Sequence, residues 1–343
     1  MRSRIVSACA LAACASLPAW GGAAAAGAVA PAAQESKQEA KISGGERDAA
    51  EKINKAKGPE AKLQAASEFI KKYPQSSLRP KVVEAVLASI QEATDAQLKI
   101  SLAEAFASVF NGPGEAEHAH GMLITAYLDT EKAEDAFRLA GPWLQKNPDD
   151  VDTMRRLAVV ALNESIRGNN KFVEQGRQYG AKAIEMIESG RKPAGADDAQ
   201  WANYKKQYHH ALYRETGILA MRAGDSAATR QRLEKAAELG SPDPIVYLIL
   251  SDIVYSDYEQ TARQHQAAAA GPAKDELLKK ANEQLDKVIE AYARAVAMTE
   301  GSPQHKEANT GMRQELEKYY KFRHNDSTDG LQQLIDKYKK PAQ

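Results

Sequence analysis

Apolar residues recur along this chain at intervals of three and four, the signature of helices with one buried face. Leu87, Ile90 and Leu98, then Leu102, Phe106 and Phe110, fall at that spacing. Met154, Leu157, Ala158 and Ala161 form another such stripe. Turn-forming residues cut the pattern at regular points: Gly58-Pro59, Asn111-Gly112-Pro113-Gly114, Gly168-Asn169-Asn170, Gly224-Asp225 and Gly271-Pro272. Between them the pattern predicts helix pairs at 46–57 and 59–73, 78–93 and 95–110, 115–128 and 131–146, and 151–166 and 171–189. Further pairs follow at 198–223 and 227–239, 244–270 and 273–299, and 304–324 and 329–338. Gly141-Pro142 predicts a kink or a restart within its helix. The run 244–254 is the one strand-like stretch, but its apolar residues also fit a buried helix. Residues 260–280 carry few large apolar groups and are expected to form a polar arm. Lys337, Lys339 and Lys340 would make the last pair a polar cap.

Glycines inside the predicted helices call for a reason, because each costs about 1 kcal/mol against alanine. Close approach of a second helix supplies one. Gly217 stands in a first helix, with Leu233 and Ala236 sharing a face of the second and Pro242 beyond its end. Gly121 stands in another, followed by Ala133, Phe137, Ala140 and Pro148. The spacing from Gly121 to Phe137 to Ala140 equals that from Gly217 to Leu233 to Ala236. Ala65 and Phe69, and Val288, Tyr292 and Ala295, repeat the second-helix part of the pattern.

This arrangement resembles the tetratricopeptide repeat, which has a small residue in its first helix, A-x3-F in its second and a closing proline. Ala133-x3-Phe137 matches literally. The resemblance covers most of 46–338, although the two best units lie 96 residues apart, not a multiple of 34, so units of unequal length must intervene. It implies an all-α, right-handed α-solenoid of about six or seven antiparallel helix pairs over 46–340, with a long hairpin at about 244–300. It also implies a concave surface, lined by first helices, that holds a protein or peptide. Carried through the glycine register, the groove residues are His118, Met122 and Thr125 in one unit and Arg214, Ile218 and Met221 in another. The Met154/Leu157 register adds Arg155 and Asn163.

The beginning of the chain has a different character. Arg2 and Arg4 precede an apolar run at 5–17, and Pro18 ends it. Ala19-Trp20-Gly21 and Ala26-Gly27-Ala28 both offer small-residue cleavage sites. That is the layout of a secretory signal peptide within 1–28, followed by a flexible linker at 29–45. The run is too short to span about 30 Å of hydrocarbon. Both cysteines, Cys9 and Cys14, lie in this leader. Leu11-Ala12-Ala13-Cys14 resembles a bacterial lipobox, which implies lipidation of Cys14. Release into the periplasm and lipid anchoring in the cell envelope both remain open.

Charge and chemistry narrow the function. Lys+Arg and Asp+Glu both number 46 among 343 residues, so no basic excess favours nucleic acid. Loss of Arg2 and Arg4 with the leader would bring the net charge to −2. No phosphate-binding glycine loop, G-x-S-x-G elbow or HExxH motif occurs. His118 and His120 are two apart and His209 and His210 adjacent, so each pair diverges on a helix, where metal ligands want a spacing of three or four. Asp149-Asp150 and Asp197-Asp198 stand where helix caps are expected. Trp201, Tyr204, Tyr208, Leu212 and Glu215 line one side of a helix, either as core or as a dock for an extended peptide. Tyr247, Tyr255 and Tyr258 pose the same choice. The expectation is a non-enzymatic envelope scaffold with no catalytic residue, metal or cofactor, binding a protein or peptide. The alternatives are an outer-membrane assembly lipoprotein anchored through Cys14 and an envelope hydrolase whose site is hidden in the helices.

Overall fold

The computed structural model describes residues 42–112 and 114–339. Among these the chain forms fourteen α-helices and no strand. It divides into two compact units, one ending at Asp197 and the other beginning at Asp198.

The first unit contains α1 (Gly44–Lys55), α2 (Pro59–Lys72), α3 (Arg79–Gln91) and α4 (Ala96–Val109). A 3-10 turn at Ala116–Ala119 leads into α5 (His120–Asp129), followed by α6 (Ala133–Lys146) and α7 (Val151–Ile166). Another 3-10 turn, Asn170–Phe172, leads into α8 (Val173–Glu188). Helices adjacent in sequence pack together throughout the unit, and α1 also packs on α3, α2 on α4 and α5 on α7. The starts have chemical causes. The Ser43 hydroxyl accepts from the Glu46 amide at 3.2 Å, and the Glu46 carboxylate accepts from the Ser43 amide at 2.8 Å, a complete capping box. Asp95 and Asp150 cap α4 and α7 through the amides of Leu98 and Thr153. Pro59 opens α2, where its missing N–H costs nothing.

The second unit contains α9 (Asp198–Arg222), α10 (Ser226–Glu238), α11 (Pro244–Ala267), α12 (Pro272–Thr299), α13 (Lys306–Arg323) and the short α14 (Leu331–Asp336). Each of α9 to α12 packs on the next, and α14 closes over α12. Asp225 caps α10 through the Ala228 amide, and Asp243 caps α11 through the Ile245 amide. A continuous core of Leu285, Val288, Tyr292, Val296, Leu316, Tyr320 and Ile335 joins α12, α13 and α14.

Small residues sit at the helix contacts. Ala66, Ala103, Ala136, Ala140, Ala158, Ala183, Ala236 and Ala293 are completely buried. Larger anchors fill the space between: Phe106 stacks on Phe110, and Phe137 on Phe172, each with centroids 4.5 Å apart.

Three expectations need correction. The linker expected at 29–45 ends earlier, because the Ser43 cap starts α1 at Gly44; 29–41 lie outside the described residues. No restart occurs at Gly141-Pro142, and α6 runs through both. Proline there forfeits one backbone bond, while Leu144 is buried and the Trp143 indole donates to Asp150 at 2.7 Å, which holds the last turn in place. The helices expected to start at 115 and 171 each begin with a 3-10 turn. The run at 244–254 lies wholly in α11, in line with its reading as a buried helix. The long hairpin is helical nearly to its tip, with Thr261 the one fully buried side chain between 260 and 280.

Candidate binding surface

Both well-matched helix pairs turn by the same device. After α9 the Asp225 amide donates to the Ala220 carbonyl at 2.9 Å, with Gly224 at φ +75°. After α5 the Lys132 amide donates to the Tyr127 carbonyl at 2.9 Å, with Glu131 at φ +55°. These are left-handed helix ends of one kind, the position that glycine normally takes. Glu131 is therefore the counterpart of Gly224, and the two pairs are offset by 93 residues, not 96.

Side-chain packing agrees. A Cβ on Gly217 would lie 2.8 Å from Leu233 Cδ2, the approach that the glycine predicted. A Cβ on Gly121 would meet the Trp143 ring at 3.0 Å, not Phe137. Both glycines mark close helix contacts, but at different heights. In an antiparallel hairpin the facing residue is set by distance from the turn. Gly217 lies seven residues before Gly224, and Gly121 lies ten before Glu131. The true counterparts of Gly217 and Leu233 are Ile124 and Ala140, both fully buried. The bulk has changed sides.

This shifts the transferred groove. By the turn register Arg214, Ile218 and Met221 correspond to Gly121, Thr125 and Leu128, so only Thr125 of the first set falls on that face. His118 is exposed, in the 3-10 turn before α5. Met122 and Thr125 are half-buried on α5. The Thr125 carbonyl accepts from Arg156 Nη2 at 3.4 Å, while Arg156 pairs with Asp129. Arg155 pairs with Asp152 at 2.8 Å on α7, and Asn163 is half-buried further along that helix. Arg214 is engaged twice, with Asp243 at 2.7 Å and the buried Glu215 at 3.3 Å. Ile218 is half-buried, and Met221 is 37% exposed. His118, Met122, Thr125, Arg155 and Asn163 belong to the first unit, and Arg214, Ile218 and Met221 to the second. Cys14 lies outside the described residues.

The remaining candidates resolve into structure. Asp150 caps α7 and accepts from Trp143, and Asp149 accepts from the Ala194 amide at 2.9 Å, tying the 189–198 loop down. Burial depresses the pKa of His120 and of His210. Among the described residues no three His, Cys, Asp or Glu side chains converge as a metal would need. Trp201, Tyr204, Leu212 and Glu215 are buried, with Trp201 stacked on Tyr204 at 5.4 Å, which fits the core alternative. Tyr247 is buried too, its hydroxyl donating to the Ser241 carbonyl at 3.2 Å.

Tyr255 and Tyr258 behave differently. Both are half-exposed, and Tyr255 meets Tyr319 of α13 at 5.2 Å. The partner could not be read from spacing, because the meeting depends on where α13 returns past α12. The concavities found elsewhere are open depressions: one on α12 and the end of α13 lined by Lys279, Asp286 and Arg323, another on the first turns of α13. Among the described residues no helix is long and apolar enough to cross a membrane. No protein-family model matches the chain, and comparison with curated proteins returns no match.

Proposed function

We propose that this protein is a non-enzymatic scaffold of the cell envelope, exported by its leader, that holds a protein or peptide partner on the first helices of its hairpins. In this reading the hairpins form a tetratricopeptide-like, right-handed solenoid of six or seven pairs. The supporting observation is that first helices lie side by side, α1 on α3 and α5 on α7, as hairpins stacked in a row require. Such a layer exposes half-buried side chains of mixed character, here Met122, Thr125 and Asn163. On α9, Ile218 takes the register position of Thr125, with the exposed Met221 one turn beyond it. Arg155 pairs within its own helix and Arg214 ties α9 to Asp243 at the start of α11, so both are engaged by carboxylate partners.

The test is site-specific photocrosslinking in the full chain. A photoreactive residue replaces Met122 or Met221, with controls at Lys235 on α10 and Glu68 on α2. Capture of one and the same partner from the first-helix positions, and not from the controls, supports the reading. Equal capture at all four positions, or none at any, overturns it.

One observation favours a lipid-anchored form, the sequence Leu11-Ala12-Ala13-Cys14. Globomycin would then accumulate an unprocessed precursor, and Cys14→Ser would abolish that response. Processing that is indifferent to globomycin leaves a released periplasmic protein.

A further inference from the structure

The tyrosine cluster between α11 and α13 is unlike the buried aromatics elsewhere. Tyr255 stands 5.6 Å from Tyr258 and 5.2 Å from Tyr319, and Tyr319 stands 5.6 Å from the buried Tyr292. Tyr255, Tyr258 and Tyr319 are only half-buried, and among the described residues their hydroxyls have no partner. Phe322, one turn beyond Tyr319, is 71% exposed. An interior contact would not leave that ring in water.

Carboxylates surround these rings. Asp252 lies one turn before Tyr255 and Glu259 one turn after it, and Glu315 lies one turn before Tyr319. Asp257, the other acid of α11, is taken by Arg230 at 2.6 Å, and Glu315 by Lys318 at 2.5 Å. Asp252 and Glu259 have no cation or hydrogen-bond donor among the described residues. The cations that α11 and α13 carry nearby are Arg263, Lys318, Lys321 and Arg323, of which Lys321 is held by Glu317 and Arg323 by Asp286. Asp252 is open to solvent, and partial desolvation by the surrounding protein raises its pKa. The charges of Asp252 and Glu315 also add to the burial that raises the pKa of Tyr319.

An unpaired carboxylate beside tyrosine faces is the complement of an organic cation. The ring quadrupole attracts positive charge, and the carboxylate supplies the hydrogen-bond acceptor. A metal ion would want more hard ligands than converge here. We propose that the face shared by α11 and α13 binds an arginine- or lysine-bearing peptide segment, whose cationic head meets Asp252 beside Tyr255 and Tyr319 and whose apolar neighbour rests on Phe322. This site uses none of the residues in the groove proposal and stands or falls separately from it.

The experiment uses the full mature chain and fluorescein-labelled peptides followed by anisotropy. One probe has four arginines spaced by glycine and serine, and its twin has citrulline at those four places. The arginine peptide is expected to bind at least about tenfold tighter than the citrulline peptide. Asp252→Asn should weaken it about tenfold, and Tyr319→Leu by a similar factor, whereas Tyr319→Phe should retain binding. Asp275→Asn, on the same hairpin but away from the rings, should leave it unchanged. Equal binding of the two peptides, no binding of either, or equal losses in the Asp252 and Asp275 variants would overturn the proposal. Asp252 is solvent-open, so its variant keeps the test valid should Tyr319→Leu fail to fold.

Discussion

Gly217→Ala sets two known effects against each other at one position. Alanine favours the helix by about 1 kcal/mol, and in an open setting that gain would prevail. At Gly217 the new Cβ would lie 2.8 Å from Leu233 Cδ2, 2.9 Å from its Cγ and 3.2 Å from Arg232 Cβ. The last two atoms are not the ends of flexible side chains, and Leu233 is completely buried. Relief therefore requires α9 and α10 to separate by several tenths of an ångström. Overpacking of that kind costs about 1–3 kcal/mol, and α9 packed less closely on α10 loses contacts along its length. The expected net loss is about 1–2 kcal/mol, a fall in melting temperature of about 3–6 °C for a unit of this size. Gly311→Ala is the matched control: the glycine lies inside α13, with nothing within 4 Å of its new Cβ. It should stabilise by about 1 kcal/mol through propensity alone. The assay is thermal and urea unfolding followed by circular dichroism. Hydrogen exchange then assigns the change to α9 and α10, since two compact units need not unfold together. The double variant Gly217→Ala/Leu233→Ala should be more stable than the sum of the single effects allows, because the smaller side chain clears the clash. If Gly217→Ala melts as high as Gly311→Ala, close helix approach is not what keeps glycine there.

Two further outcomes follow from the ion pair and the cap. Glu115 receives Arg79 Nε at 2.5 Å and Nη2 at 2.7 Å, with both side chains under one-fifth exposed, so Glu115→Gln should cost about 1–3 kcal/mol at pH 7. Arg79, through this bond, holds the Glu115 pKa below its ordinary value, so the stabilisation is complete above the ordinary carboxylate range and disappears as pH falls through the lowered folded value. The melting difference between wild type and Glu115→Gln should accordingly shrink in acid; a constant difference would show that the charge contributes nothing. Asp150→Ala removes the cap of α7 and the acceptor of the Trp143 indole together, an expected loss of about 2 kcal/mol. Asp150→Asn, which can still cap, should recover at least half of that in the same unfolding assay.

Helix positions were legible because their signals are local. Aspartates 95, 150 and 225 and prolines 59 and 272 mark starts through backbone chemistry that needs no tertiary partner. The Ser43-x-x-Glu46 box was present in the sequence and would have moved the first helix two residues earlier. Contacts between distant helices were less legible. Tyr255 and Tyr258 stood out as a choice between core and surface, but nothing in their spacing pointed to Tyr319. That meeting depends on the 28 residues of α12 carrying the chain out along the hairpin and back.

The misplaced register has a specific cause. Turns are read from glycine, and the turn after α5 has none; Glu131 adopts the left-handed conformation instead, at φ +55°. With that turn unmarked, the nearest conspicuous small residue, Gly121, took the place of the anchor. The sixteen-residue spacing to an apolar residue then looked like the same contact twice. A hairpin does not conserve spacing between facing residues; it conserves their distances from the turn. Measured so, the small-against-large contact of Gly217 with Leu233 corresponds to Ile124 and Ala140, with the large side chain on the first helix and the small one on the second. Each pair sets one large side chain against one small one at that level, on opposite helices, and the total differs by a single methyl group while each helix on its own has lost the pattern. Volume is what close packing constrains. A repeat can therefore keep its packing while its residue signature fades, and its backbone turns remain the dependable reference for deciding which side chains share a face.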